Sequence, residues 1–299
     1  MLDAGGSDFE YVDDTNAFVF FFLFIEIGTA MVLACLFVRR NAGTVPDKMD
    51  VLARAVCDAG GCASACLLLL RLIFAAIHTY EDITKNIVPS FSSSLVEFNP
   101  IRCFTVWNYM LQNVFILTAL AVSVFAALGK DVPHYLSAAI CPLFDVCLPM
   151  SVFVSCIFWM FLARPEDTRD SHMILQHAVN TGYFLTEFLL NRMILSLPGS
   201  GLTVVWGGLY CNFTWAVHWY TFHIASVNTT IWPNESGWPY FFMSLRDWKA
   251  VLDYNGLFLT LLLFGLAFEC VSRVKLRLLE SIEETIICSD DTMELIGTA

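Results

Sequence analysis

Apolar residues fill this chain in long uninterrupted runs, and the polar positions inside those runs recur at helical rather than strand spacing. A hydrocarbon core of about 30 Å needs roughly 20 apolar residues per helix. By that measure seven spans are predicted, at 17–38, 60–79, 103–128, 137–163, 173–195, 202–224 and 254–272. The expected fold is all-α, a polytopic transmembrane helix bundle. An acidic N-terminus (1–16) leads into a first span with its basic connection (17–59), a transmembrane core (60–275) and an acidic tail (276–299). After Arg277 the composition predicts a short helix and then disorder.

Two of the runs carry polar stripes. Thr105, Asn108 and Gln112 stand at i, i+3 and i+7 in the third span and share one helix face. His177, Asn180, Glu187 and Asn191 fall at i, i+3, i+10 and i+14 in the fifth. An intramembrane carboxylate is costly and normally faces a cavity or a partner, which marks Glu187 as a polar site. Arg71 in the second span is a candidate ion partner for Glu187 or for Glu26 in the first.

Composition supports the membrane reading: 57% of residues are hydrophobic and 15% charged, against about 25% charged in soluble domains. Mean hydropathy is +0.65. The net charge of -12 gathers at the ends, and no basic patch suited to nucleic acid is present. The acidic leader does not resemble a cleavable signal peptide. Eleven cysteines are scattered without a C-x-x-C pair, so neither a zinc knuckle nor a redox pair is indicated.

Orientation follows from Lys and Arg. With Arg39, Arg40, Arg273, Lys275 and Arg277 inside, nine basic residues lie in inside segments and six in outside ones. The N-terminus is then exterior or lumenal and the C-terminus cytoplasmic, in the plasma membrane or endoplasmic reticulum. Asn228-Thr229-Thr230 and Asn234-Glu235-Ser236 are glycosylation sequons in an exterior loop under this topology. It also brings His78, His172, His177, His218 and His223 to one end of the bundle, at the depth of Thr105.

Thr105 and His177 together make a candidate nucleophile and general base, because a threonine hydroxyl attacks an ester only when an imidazole takes its proton. Asn108, Asn180 or the Trp107 indole N–H are candidate oxyanion donors. No metal or cofactor is implied. A zinc hydrolase wants histidines at i, i+4, whereas both histidine pairs, 172/177 and 218/223, are five apart. A seven-helix receptor fits the count, but the third span lacks a D-R-Y-like end and the seventh lacks N-P-x-x-Y.

The stretch from Phe104 to Phe115, reading Phe-Thr-Val-Trp-Asn-Tyr-Met-Leu-Gln-Asn-Val-Phe, resembles the nucleophile segment of the androgen-induced and androgen-dependent membrane protein family. These are multi-pass threonine hydrolases of fatty acid esters of hydroxy fatty acids. Pro149 to Trp159 is similar to the family's Pro-x-x-Val-Phe-Val-x-x-x-Phe-Trp landmark, His177 and Glu187 keep its ten-residue spacing, and Gly237 to Phe241 echo its Trp-rich loop. The resemblance covers roughly 60–275 and makes 1–59 an addition to a six-helix core. It implies a lipid-ester hydrolase in contact with membrane lipids, with Thr105 as nucleophile, His177 as base, and Asn108, Asn180, Gln112 and Glu187 in support. The substrate is expected in a cavity between spans three and five. The family's Asn-His-x-x-His-Thr reads here Leu175-Gln176-His177-Ala178-Val179-Asn180-Thr181. A second register therefore puts Asn180 at the base position and implies a non-catalytic lipid-binding receptor or scaffold.

Overall fold

The computed structural model describes residues 15–41, 62–93, 99–223 and 238–297, and no strand occurs among them. Seven helices of more than ten residues carry the fold among these residues: α1 (Ala17–Asn41), α2 (Cys62–Glu81), α3 (Phe104–Ala127), α4 (His134–Ile157), α5 (Asn180–Leu190), α6 (Leu197–His223) and α7 (Lys249–Gly297). Five stretches, Ala17–Arg40, Ser64–Ser92, Phe104–Ala127, His134–Leu162 and Lys249–Ser281, are long and apolar enough to cross a membrane. The two remaining predicted spans fall on α6, which has the length but is diluted by Gly, Thr, Asn and His, and on 171–190, which holds two histidines, Asn180 and Glu187. The sequons at Asn228 and Asn234 and the acidic N-terminus through Asp14 lie outside the described residues. Beyond Arg277 the chain continues as helix to Gly297 instead of stopping after a short segment. No proline or glycine interrupts 273–296, and Leu, Glu, Lys and Arg there are good helix formers.

The α3/α4 pair forms the centre of the bundle, with α2 against α3 and α5 against α4; α1 packs along α6, which also contacts α4 and α7. Phe115, Phe144, Phe184 and Phe188 bury their rings where α3, α4 and α5 meet, with centroids 5.3 Å apart for Phe115–Phe144 and 5.4 Å for Phe115–Phe184. The outer faces are apolar in turn: α1 exposes Phe18, Phe21, Phe22, Ile25 and Leu33. So large an exposed apolar surface suits lipid rather than water.

Glycine sets the closest helix approaches. A side chain at Gly199 would run into Asp145, whose carboxylate accepts the Ser196 N–H at 3.1 Å and the Ser196 hydroxyl at 2.7 Å. Ser196 in turn accepts the Gly199 N–H at 3.2 Å. This caps the N-terminus of α6 with a carboxylate from α4, a favourable placement for negative charge. At Gly208 a side chain would meet the flexible end of Met31, which can yield.

The ion pair left open by the sequence is Arg71–Glu187. Arg71 Nε donates to Glu187 Oε1 at 3.1 Å and Oε2 at 3.2 Å, and Nη2 also pairs with Oε1. Tyr183 and Asn191 donate to the same carboxylate at 3.2 and 3.1 Å, while Arg71 Nη1 reaches the Ser123 hydroxyl at 2.5 Å. Both side chains are wholly buried. Glu187 is thus tied to bundle assembly, far below His177.

Candidate functional site

Short loops order the helices so that α3 and α5 both start at the same end of the bundle and run in the same direction. Three wide π-turns cluster at that end: Asp82–Ile87, Phe158–Leu162 and Leu175–Val179. Such turns often re-aim side chains at functional sites. The third carries His177. Its backbone carbonyl accepts the Trp159 indole N–H at 3.3 Å and the Ser155 hydroxyl, so the Pro149–Trp159 segment fixes the position of this residue.

Thr105 lies in the first turn of α3 and faces a cavity. The walls come from α3, α4 and the turn 158–162 that follows it, α6, the segment 240–243 and α7, chiefly Phe153, Val154, Phe158, Leu257, Phe258 and Leu261. The expectation of a cavity between the third and fifth spans is therefore corrected. No α5 residue lines it, because α5 packs against α4 on the other side. The lining is almost wholly apolar. Tyr210 and Tyr254 also reach it, but their hydroxyls donate to the carbonyls of Arg102 at 2.7 Å and Met243 at 3.2 Å. What stays polar is Thr105 with Tyr240. The Tyr240 hydroxyl accepts the Phe104 N–H at 3.0 Å and lines the cavity together with Thr105. Burial pushes the Tyr240 phenol well above its ordinary range, so it stays neutral and keeps its proton.

His177 is buried outside this cavity. Its ring stacks on Phe158 with centroids 3.6 Å apart and planes within 3°. Phe158 lines the cavity and His177 does not. The Nδ1 of His177 is buried with no hydrogen-bond partner. Gln112 and Asn180, bonded at 2.6 Å, supply a common level for α3 and α5. Thr105 lies seven residues above Gln112 and His177 three above Asn180, so at about 1.5 Å per residue their depths differ by roughly 6 Å.

The proposed oxyanion donors are engaged elsewhere. Asn108 donates to the Phe104 carbonyl at 2.9 Å and accepts the Trp206 indole N–H at 3.1 Å. Trp107 donates to the Ile101 carbonyl at 2.8 Å. Asn180 donates to Gln112, which also reaches the Cys147 carbonyl at 3.5 Å. Both polar stripes thus serve to bind α3 to α4, α5 and α6.

The histidines share an end of the bundle but not a chamber. His78 stacks on Tyr109 at 4.3 Å, His172 meets Glu81 at 3.1 Å, and His218 stacks on Trp238 at 3.8 Å; the His223 side chain is outside the described residues. Among the described residues no group of three or more His, Cys, Asp or Glu is placed to hold a metal ion. Tyr240 and Phe158 were visible in the sequence only as members of longer motifs. Nothing in their spacing announced that one would meet Thr105 and the other would cover His177. No protein-family model matches the chain, and comparison with curated proteins and with solved structures gives no match.

Proposed function

We propose that this chain is a seven-span membrane protein that binds a lipid acyl chain in the Thr105 cavity, with the Thr105–Tyr240 hydroxyls at the polar end of the bound molecule. The observation that carries the reading is a lone polar pair in an otherwise apolar cavity, the arrangement expected for an amphipathic ligand. The N-terminus is exterior or lumenal and α6 and 171–190 also cross the bilayer. The basic ends of α1 and α7 support that orientation.

The test is lipid occupancy after purification, read by native mass spectrometry. Gly207 lines the cavity, and a Cβ there comes within 3.3 Å of Leu261 and Phe258. Gly207→Leu should fill the space and lower occupancy about tenfold while the protein still elutes as a folded species. Equal occupancy in the two proteins rejects the reading.

A second reading, a lipid-ester hydrolase with Thr105 as nucleophile and His177 as base, is favoured by one observation. The Nδ1 of His177 has no hydrogen-bond partner, and its ring stacks on Phe158, which lines the Thr105 cavity. Rotation of that ring would open the imidazole to the cavity. Under this reading Thr105→Ala and His177→Ala each abolish labelling by a fluorophosphonate probe, and Phe158→Ala accelerates it. Labelling that is absent in the parent protein, or unchanged in both alanine variants, leaves lipid binding as the function.

A further inference from the structure

Assignment of Arg71 to Glu187 leaves another intramembrane carboxylate, Glu26, without a basic partner among the described residues. Glu26 lies nine residues into α1, about 13 Å below its start at 1.5 Å per residue, close to the middle of a core of about 30 Å. Among the described residues its side-chain partner is the Asn255 amide of α7, which donates at 3.2 Å and also back-bonds to the Val251 carbonyl at 2.9 Å. Glu26 is half-buried and Asn255 is exposed.

The two sit in a groove between α1 and α7, with Val204 of α6 in its floor. Leu23, Ile27, Ala30, Val204, Phe258 and Leu259 make up most of the remaining wall. α1 packs along α6 and barely touches α7, so the groove is open along the side of the bundle. A carboxylate at this depth normally faces the bundle interior or a paired charge. Glu26 does neither.

We propose that the α1–α7 groove is the docking site for a transmembrane helix of another protein that carries a lysine or arginine near its middle. Charge complementarity selects the cation, and depth selects its source. Lipid ammonium groups stay at the interface, a dozen or so ångströms above Glu26, whereas a side chain on a spanning helix reaches the midplane. Among the described residues a second copy of this chain offers no unpaired cation at that depth. Arg71 is wholly buried against Glu187, and Lys249, at the head of α7, stands 4.0 Å from Asp253. The groove shares the Tyr254 and Phe258 side chains with the Thr105 cavity but contains neither Thr105 nor Tyr240, so the inference holds whichever reading of that cavity is right.

The experiment measures energy transfer between the labelled full-length protein and synthetic leucine-rich helices in phosphatidylcholine vesicles. The helices carry a central Lys or, as the control, Leu. The Lys helix should associate about tenfold more tightly than the Leu helix, the scale expected for an interhelical polar contact in lipid. Glu26→Gln should erase the difference, and Glu26→Asp should retain most of it. The proposal is overturned if the Lys and Leu helices associate alike with the parent protein or if Glu26→Gln leaves the preference intact. It is also overturned if the protein pairs with itself in a Glu26-dependent way without added helix, which gives the groove to a second copy.

Discussion

Arg71→Met should destabilise the bundle by about 3–5 kcal/mol, the cost of leaving a buried charge without its partner. Arg71 and Glu187 are both wholly buried, and the carboxylate also accepts from Tyr183 and Asn191. Removing the guanidinium leaves that carboxylate in an apolar interior with two neutral donors. The partner change, Glu187→Leu, strands the guanidinium in the same way. The double variant Arg71→Met/Glu187→Leu should recover most of the loss, because apolar side chains of similar volume often replace a buried ion pair at little cost. Unfolding midpoints in mixed micelles for the four proteins give the cycle directly. If the double variant is as unstable as the sum of the singles, the two side chains do not act as a pair.

Gly199→Ala should cost about 1–3 kcal/mol, in the range for overpacking a close helix contact. The added methyl meets the Cβ, Cγ and Oδ2 of Asp145. To relieve it, α6 must move away from α4, and the bonds from Ser196 to the Asp145 carboxylate break with that movement. Asp145→Ala does not rescue Gly199→Ala, since the Cβ at 145 is itself among the clashing atoms. Asp145→Gly rescues the contact but gives up the cap. Gly208→Ala, which meets the flexible end of Met31, is the milder control. Should the two alanine variants unfold alike, the α4–α6 approach is looser than described.

Much of the architecture can be read from residue order alone. Long apolar runs require helices of membrane length, and the basic ends of the first and last runs suggest which side they face. The i, i+3, i+7 spacing of Thr105, Asn108 and Gln112 and the His177–Asn191 stripe identify the polar faces. The Arg71–Glu187 pair was one of two pairings the sequence allowed. Other features were hidden because they depend on how helices distant in sequence pack together. Gln112 and Asn180 are 68 residues apart yet share a hydrogen bond. Tyr240, 136 residues from Phe104, closes the Thr105 cavity from a connecting segment.

Sequence by itself determined that the chain forms apolar helices with a few polar faces, since burial of backbone polar groups in lipid leaves little alternative. It also placed five histidines near one end of the bundle. Tertiary structure decided which of those side chains meet. A helix wheel gives the direction of a side chain about its own axis but not the rotation and depth of the neighbouring helix. Here a Phe158 ring and an axial offset of roughly 6 Å, reckoned at about 1.5 Å per residue, separate Thr105 from His177.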